Sequence, residues 1–131
     1  MQLLALAAYI AGASALGINC RGSGMCLVGA QMTDVQSQIG DMIASGNGDR
    51  WFNTGDQIAC AKGQEFDSTC AFFQKGASGT AQQAFDHIQN LLDHGCGTCG
   101  SDPTEDGNDV STGELTVNAV HNPCCKGDCQ C

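Results

Sequence analysis

The chain has 131 residues, five basic against 14 acidic side chains, a net charge of −9, and ten cysteines, with five Phe, one Trp and one Tyr. That length accommodates one domain, and the negative charge excludes nucleic acid and anionic membrane as partners, since both would be repelled. The cations Arg21, Arg50, Lys62, Lys75 and Lys126 are spread along the sequence and form no patch in it. So many cysteines in a short chain with few aromatics signal a disulfide scaffold.

In chain order, the apolar run Leu3–Ala13 ends in Ala13-Ser14-Ala15, a small-x-small site, and reads as a secretory signal peptide cut after Ala15. The run is well short of the roughly 20 residues a membrane span requires. The expected mature domain, residues 16–131, keeps all ten cysteines, has no membrane span, and is secreted to the extracellular space as a monomer. A strand is expected over Gly17–Arg21. Met32, Val35, Ile39, Met42 and Ile43 then recur at helical spacing, predicting a helix over Gln31–Ser45 stopped by Gly46. Strands are expected over Gln57–Lys62 and Thr69–Gln74, with a weaker one near Arg50–Phe52. The glycine-rich stretches Gly46–Gly48 and Gly76–Gly79 serve as connections.

Thr80 and Gln83 form a T-x-x-Q capping box that opens a second helix, and Gly95 stands at its stop. Ala84, Phe85, Ile88, Leu91 and Leu92 make its apolar stripe, leaving Asp86, His87, Asp93 and His94 on the polar part. Glu114–Val120 alternates as a half-buried strand does, with Leu115, Val117 and Ala119 pointing one way. The order of elements predicts a disulfide-rich α+β fold. It is a two-layer α/β sandwich, a mainly antiparallel sheet with two amphipathic helices on one face.

Four patterns bear on chemistry. Cys96-Gly-Thr-Cys99 has redox or zinc spacing, but its helix precedes it rather than follows, and in an oxidising compartment it reads as two separate structural bridges. The extension Cys124-Cys125-Lys-Gly-Asp-Cys129-Gln-Cys131 has metallothionein-like density, yet oxidation pairs such thiols before a metal can bind. Asp102–Asp109 followed by Glu114 approximates a calcium loop, but Thr104 holds the third position and the closing glutamate falls one residue late, so it reads as a solvated acidic turn. His87, Asp93, His94 and His121 come with no nucleophile elbow and no placed carboxylate pair. No catalytic residue, metal or cofactor is assigned, and the chain is expected not to be an enzyme. An even cysteine count implies five bridges, and the sequence alone does not choose their pairing.

Leu16-Gly-Ile-Asn-Cys20-Arg-Gly-Ser23 resembles the mature start of the KP-four type of fungal killer toxin family, small secreted proteins that block calcium channels. The likeness returns in His94-Gly-Cys96-x-x-Cys99-Gly-Ser-Asp-Pro103 and in Gly107-Asn-Asp-Val-Ser111-x-Gly-x-Leu115-Thr-Val-Asn118-x-Val120. From Gln31 to Gln83 it is looser. The resemblance implies a compact α/β sandwich with split β-α-β units. It further implies that Cys20 pairs with Cys96, Cys26 with Cys99, and Cys60 with Cys124. Two family bridges are lost near Phe52 and Phe85, and Cys70, Cys125, Cys129 and Cys131 are expected to form two replacements.

The implied partner is a cell-surface calcium channel. Where the family carries an Arg/Lys-rich stretch, however, this chain reads Asn53-Thr-Gly-Asp-Gln-Ile58. A blocker presents a cation to a carboxylate-lined pore mouth, so Lys62 and Arg21 become the candidate target-binding residues. The alternative is a secreted effector or binding module that keeps the scaffold and recognises another extracellular receptor or a glycan.

Overall fold

The computed structural model describes residues 16–64 and 68–131; the expected signal peptide, 1–15, lies outside the described residues. Helix α1 spans Met32–Met42 and buries Met32, Val35, Ile39 and Met42, the spacing that predicted it. It continues through a wider π-type turn, Ile43–Asn47, and ends where Gly46 takes φ 94°. Strand β1, Trp51–Phe52, pairs antiparallel with β4, Gly79–Thr80. Helix α2, Ala81–Asp93, opens on the predicted box: Thr80 Oγ1 accepts from Gln83 N, and Gln83 Oε1 accepts from Thr80 N. It closes before Gly95, whose φ of 99° suits glycine.

The main sheet contains β2 (Gln57–Lys62), β3 (Ser68–Gln74), β5 (Gly100–Pro103), β6 (Glu114–Val120) and β7 (Cys129–Gln130). Its order is β5-β6-β3-β2-β7, and every pairing is antiparallel. Register sorts its two faces. Ala59 stands opposite Ala71, which stands opposite Val117, while Phe73 stands opposite Leu115. These side chains form one core with Ala81, Ala84, Ile88 and Leu91 of α2 and the buried stripe of α1. The architecture is the expected disulfide-rich α+β sandwich.

The other face carries Cys60, Cys70 and Asn118, aligned across β2, β3 and β6. Irregular chain covers it. Asn118 Oδ1 accepts from Ser23 N at 3.0 Å, and a Cβ on Gly22 would collide with both that oxygen and the Cys26–Cys99 bridge.

Two expectations are corrected. Gly17–Arg21 is no strand, because Asn19 curls the segment, its Nδ2 donating to Gly17 O and its Oδ1 accepting from Arg21 N. Only Asn19 makes a bridge, to Ser101. Conversely, Gly100–Pro103 is a strand despite a composition poor in strand formers. Two bridges anchor it from Cys96 and Cys99, and β6 supplies the ladder.

A short 3-10 turn, Val110–Thr112, leads into β6, and Asp109 Oδ1 accepts from both Ser111 N (2.9 Å) and Ser111 Oγ (2.7 Å). Those two bonds favour the carboxylate and lower the Asp109 pKa below its ordinary value. A depressed carboxyl pKa stabilises the turn above the unfolded-state value and ceases to do so as pH falls through the folded one, so the cap should release only below about pH 4. The Ser111 amide proton resonance is expected to hold steady down to that pH and then move. A titration following the ordinary aspartate curve would contradict the assignment.

Candidate functional site

Lys62 ends β2 with its side chain exposed. The tail is laid against that strand by backbone pairing, Ala59 opposite Gln130 and Cys60 opposite Cys129. It is pinned further by Lys62 N donating to Asp128 Oδ1 (2.8 Å), Cys131 N to Ile58 O (2.8 Å) and Gln57 Nε2 to Asn122 O (2.9 Å). Between strand and tail lies a cleft of about 800 Å³, lined by Lys62, Gln64, Ser68, His121 and Lys126 among others. Two of the chain's five cations and one of its three histidines therefore share a concave surface. Such a wall attracts anionic groups into a protein that otherwise repels them.

Sequence reading named His121 only among scattered histidines and missed Lys126: the register Lys62–Ser68–Val120 brings the first to this end of β2, and the docking of the tail brings the second. The signal available was the position of Lys126 inside the cysteine extension, which had to be tied down somewhere. Arg21 is not part of this cleft. It is exposed and lines a separate hollow of about 510 Å³ with Lys75, Gln74 and Ser111.

The cysteines divide into two groups. Cys20–Cys96 and Cys26–Cys99 follow the pairing that the resemblance implies, so the C-x-x-C serves two separate bridges. The implied Cys60–Cys124 bridge is not present: Cys60 joins Cys70, Cys124 joins Cys131, and Cys125 joins Cys129. The register gives the reason, since Cys70 stands directly across the β2–β3 ladder from Cys60 on the same face. The tail still reaches the same place, with Cys124 Sγ 3.7 Å and Cys131 Sγ 3.9 Å from Cys60 Sγ. Cys60, Cys124, Cys129 and Cys131 hold their sulfurs within 4.8 Å of one another, a spacing suited to a soft cation. All ten cysteines are bridged, however, and the thiolate is the form that ligates metal, so this donor set does not fit one.

The acidic and histidine motifs also resolve differently from the sequence reading. Asp102 is buried on the core face of β5, where its Oδ2 meets His87 Nδ1 at 2.7 Å and accepts from Asn90 Nδ2 at 3.0 Å. Glu114 is buried and accepts from Thr116 Oγ1. Neither carboxylate is available to a calcium loop, and only Glu105 and Asp106 between them belong to an exposed acidic turn. His87, expected on a solvated face, instead ties α2 to β5 and sets its ring edge-on to Phe73.

A family model described as Kp4 matches residues 3–121. The chain belongs to the Kp4 family. It is 39% identical over 122 residues to the KP4 killer toxin of Ustilago maydis P4 virus, covering 92% of each protein. The Kp4 match ends at His121, so most of the tail wall of the cleft, including Lys126, lies beyond the family model. This Kp4 member therefore carries one pair of cations where a family strand meets its own C-terminal extension and another, Arg21 and Lys75, in a separate hollow.

Proposed function

We propose that this is a secreted killer-toxin-like protein, residues 1–15 its signal peptide and residues 16–131 its toxin domain. It acts as a monomer that inhibits growth of competing or host cells by perturbing calcium entry. Likeness to a named killer toxin across 92% of both chains carries the reading. Five disulfides in so short a chain support export to an oxidising compartment. The β2–tail cleft supplies the contact. Lys62, which shares the cleft with Lys126, offers positive charge to a carboxylate-lined channel mouth, taking over from the basic stretch that Asn53–Ile58 lacks. Arg21 presents a second, separate cation.

Growth inhibition by the oxidised domain, assayed with and without millimolar calcium on fungal and plant root cells, tests this reading. Calcium is expected to relieve inhibition, and Lys62→Glu to weaken it by roughly tenfold or more, the scale of a lost charge contact. Inhibition indifferent to calcium and to Lys62→Glu would move the target to another extracellular receptor. The net charge of −9 favours that second reading, an effector on the same scaffold.

A further inference from the structure

The one tryptophan in the chain stands largely in solvent. Trp51 is 58% exposed, and it is the largest apolar side chain left open to solvent among the described residues. It lines a groove of about 440 Å³ distinct from the Lys62 cleft, with Arg50, Asp56, Gln57 and Asn122 around it. Asn122 and Cys124 form the wall common to both hollows.

The platform is held firmly. Trp51 Nε1 donates to Asn53 Oδ1 at 3.2 Å, which orients the indole. Beneath it the backbone is fixed by the Trp51–Thr80 pairing and by Ala81 N donating to Arg50 O at 2.9 Å. On the following turn, Gly55 N donates to Phe73 O at 2.8 Å and Asp56 N to Asn53 O at 3.1 Å. Arg50 packs its guanidinium 4.8 Å over the Phe52 ring, so it too is placed rather than free-swinging.

We propose that this groove binds a neutral oligosaccharide. A flat indole face accepts the C–H face of a pyranose ring, while side-chain amides, a carboxylate and a guanidinium around it supply paired donors and acceptors for vicinal hydroxyls. Asp56 offsets Arg50 within the groove, which leaves the net charge of −9 to disfavour uronic or sulfated sugars. The groove would hold the protein at a glycan-coated cell surface. It shares no cation with the Lys62 cleft and stands whether or not the calcium reading does.

Because Trp51 is the sole tryptophan, intrinsic fluorescence reads this site alone. The oxidised domain should be titrated with chitohexaose, laminarihexaose and mannohexaose, and with an oligogalacturonate as the charged comparison. The expected result is a saturable change in Trp51 emission with at least one neutral hexaose, with a dissociation constant between about 10 µM and 1 mM. The oligogalacturonate should give none. Calorimetry should show Trp51→Ala losing at least tenfold in affinity, Trp51→Phe losing less, and Lys62→Glu unchanged. Unchanged emission with all three neutral hexaoses up to about 10 mM would overturn the proposal, as would wild-type affinity in Trp51→Ala. So would emission that shifts with protein concentration alone and with no sugar, which would assign Trp51 to a contact between copies.

Discussion

Replacing Cys20 and Cys96 together by alanine is expected to remove about 3 kcal/mol of stability, whereas replacing Cys125 and Cys129 should remove about 2 kcal/mol or less. The bridges are chemically alike; what differs is the chain they close. Cys20 and Cys96 are 76 residues apart, but Cys26–Cys99 already spans most of that chain, so the loop left for Cys20–Cys96 to close is about ten residues, against about four for Cys125–Cys129. A cross-link restricts the unfolded ensemble more as its loop lengthens, by a term logarithmic in loop length. The long bridge also fastens the curled N-terminal segment to the turn between α2 and β5, beside the Asn19–Ser101 pairing. With ordinary domain stabilities near 5–15 kcal/mol, its loss takes a sizeable share of the margin even with Cys26–Cys99 in place. Urea unfolding of both double variants under non-reducing conditions decides the matter, and equal losses would rule loop closure out as the cause. The short-bridge variant has a second use. Its sheet should stay intact while the loop bearing Lys126 loosens, so weakened growth inhibition with near-native stability would tie the cleft wall to activity.

What the sequence revealed and what it hid divide along a physical line. Both helices were legible because their signals are local: a capping box, glycine stops and apolar spacing lie within a few turns of one another. Glu114–Val120 was legible because its apolar residues alternate, and Gln57–Lys62 because the short apolar run Ile58–Ala61 is bounded by Gly55-Asp56 and Gly63. Gly100–Pro103 and Cys129–Gln130 were not, since each becomes a strand only when a distant neighbour supplies hydrogen bonds to a segment with little propensity of its own. The same division governs the candidate sites. Lys62 could be named, with Arg21, as a substitute for the basic stretch that the resemblance implies, but its sharing a cleft with Lys126 depends on the tail docking on β2. His87 looked solvated because helical spacing says nothing about Asp102, which reaches it from β5. The Cys60 pairing turned on register: a cysteine ten residues away and directly across the ladder takes the bond that resemblance assigned to Cys124.

Phe73→Ala should be the most damaging single truncation in the core, costing about 3–5 kcal/mol, with Phe73→Leu held to about 1.5 kcal/mol or less. Phe73 sits on the central strand β3, is 1% exposed, and meets three elements at once. Leu115 stands opposite it on β6, and the His87 ring of α2 contacts it edge-on with centroids 6.4 Å apart at 89°. From the β1–β4 side, Gly79 leaves just enough room: a Cβ there would fall 2.8 Å from Phe73 Cζ and 2.6 Å from Gln83 Oε1 of the capping box. Alanine at 73 would thus leave a cavity walled by strand, helix and turn, none of which can collapse without disturbing the other two. Gly79→Ala tests the same geometry from outside, because its clash has one part due to the ring and another due to the cap. In a double-mutant cycle, Gly79→Ala should cost less in the Phe73→Leu background than in the native one, by roughly 0.5–1 kcal/mol, the lower part of the range for residues in contact. Strict additivity in denaturant unfolding would mean that the ring does not set the limit at position 79, and the damage from Phe73→Ala would then have to come from the sheet alone.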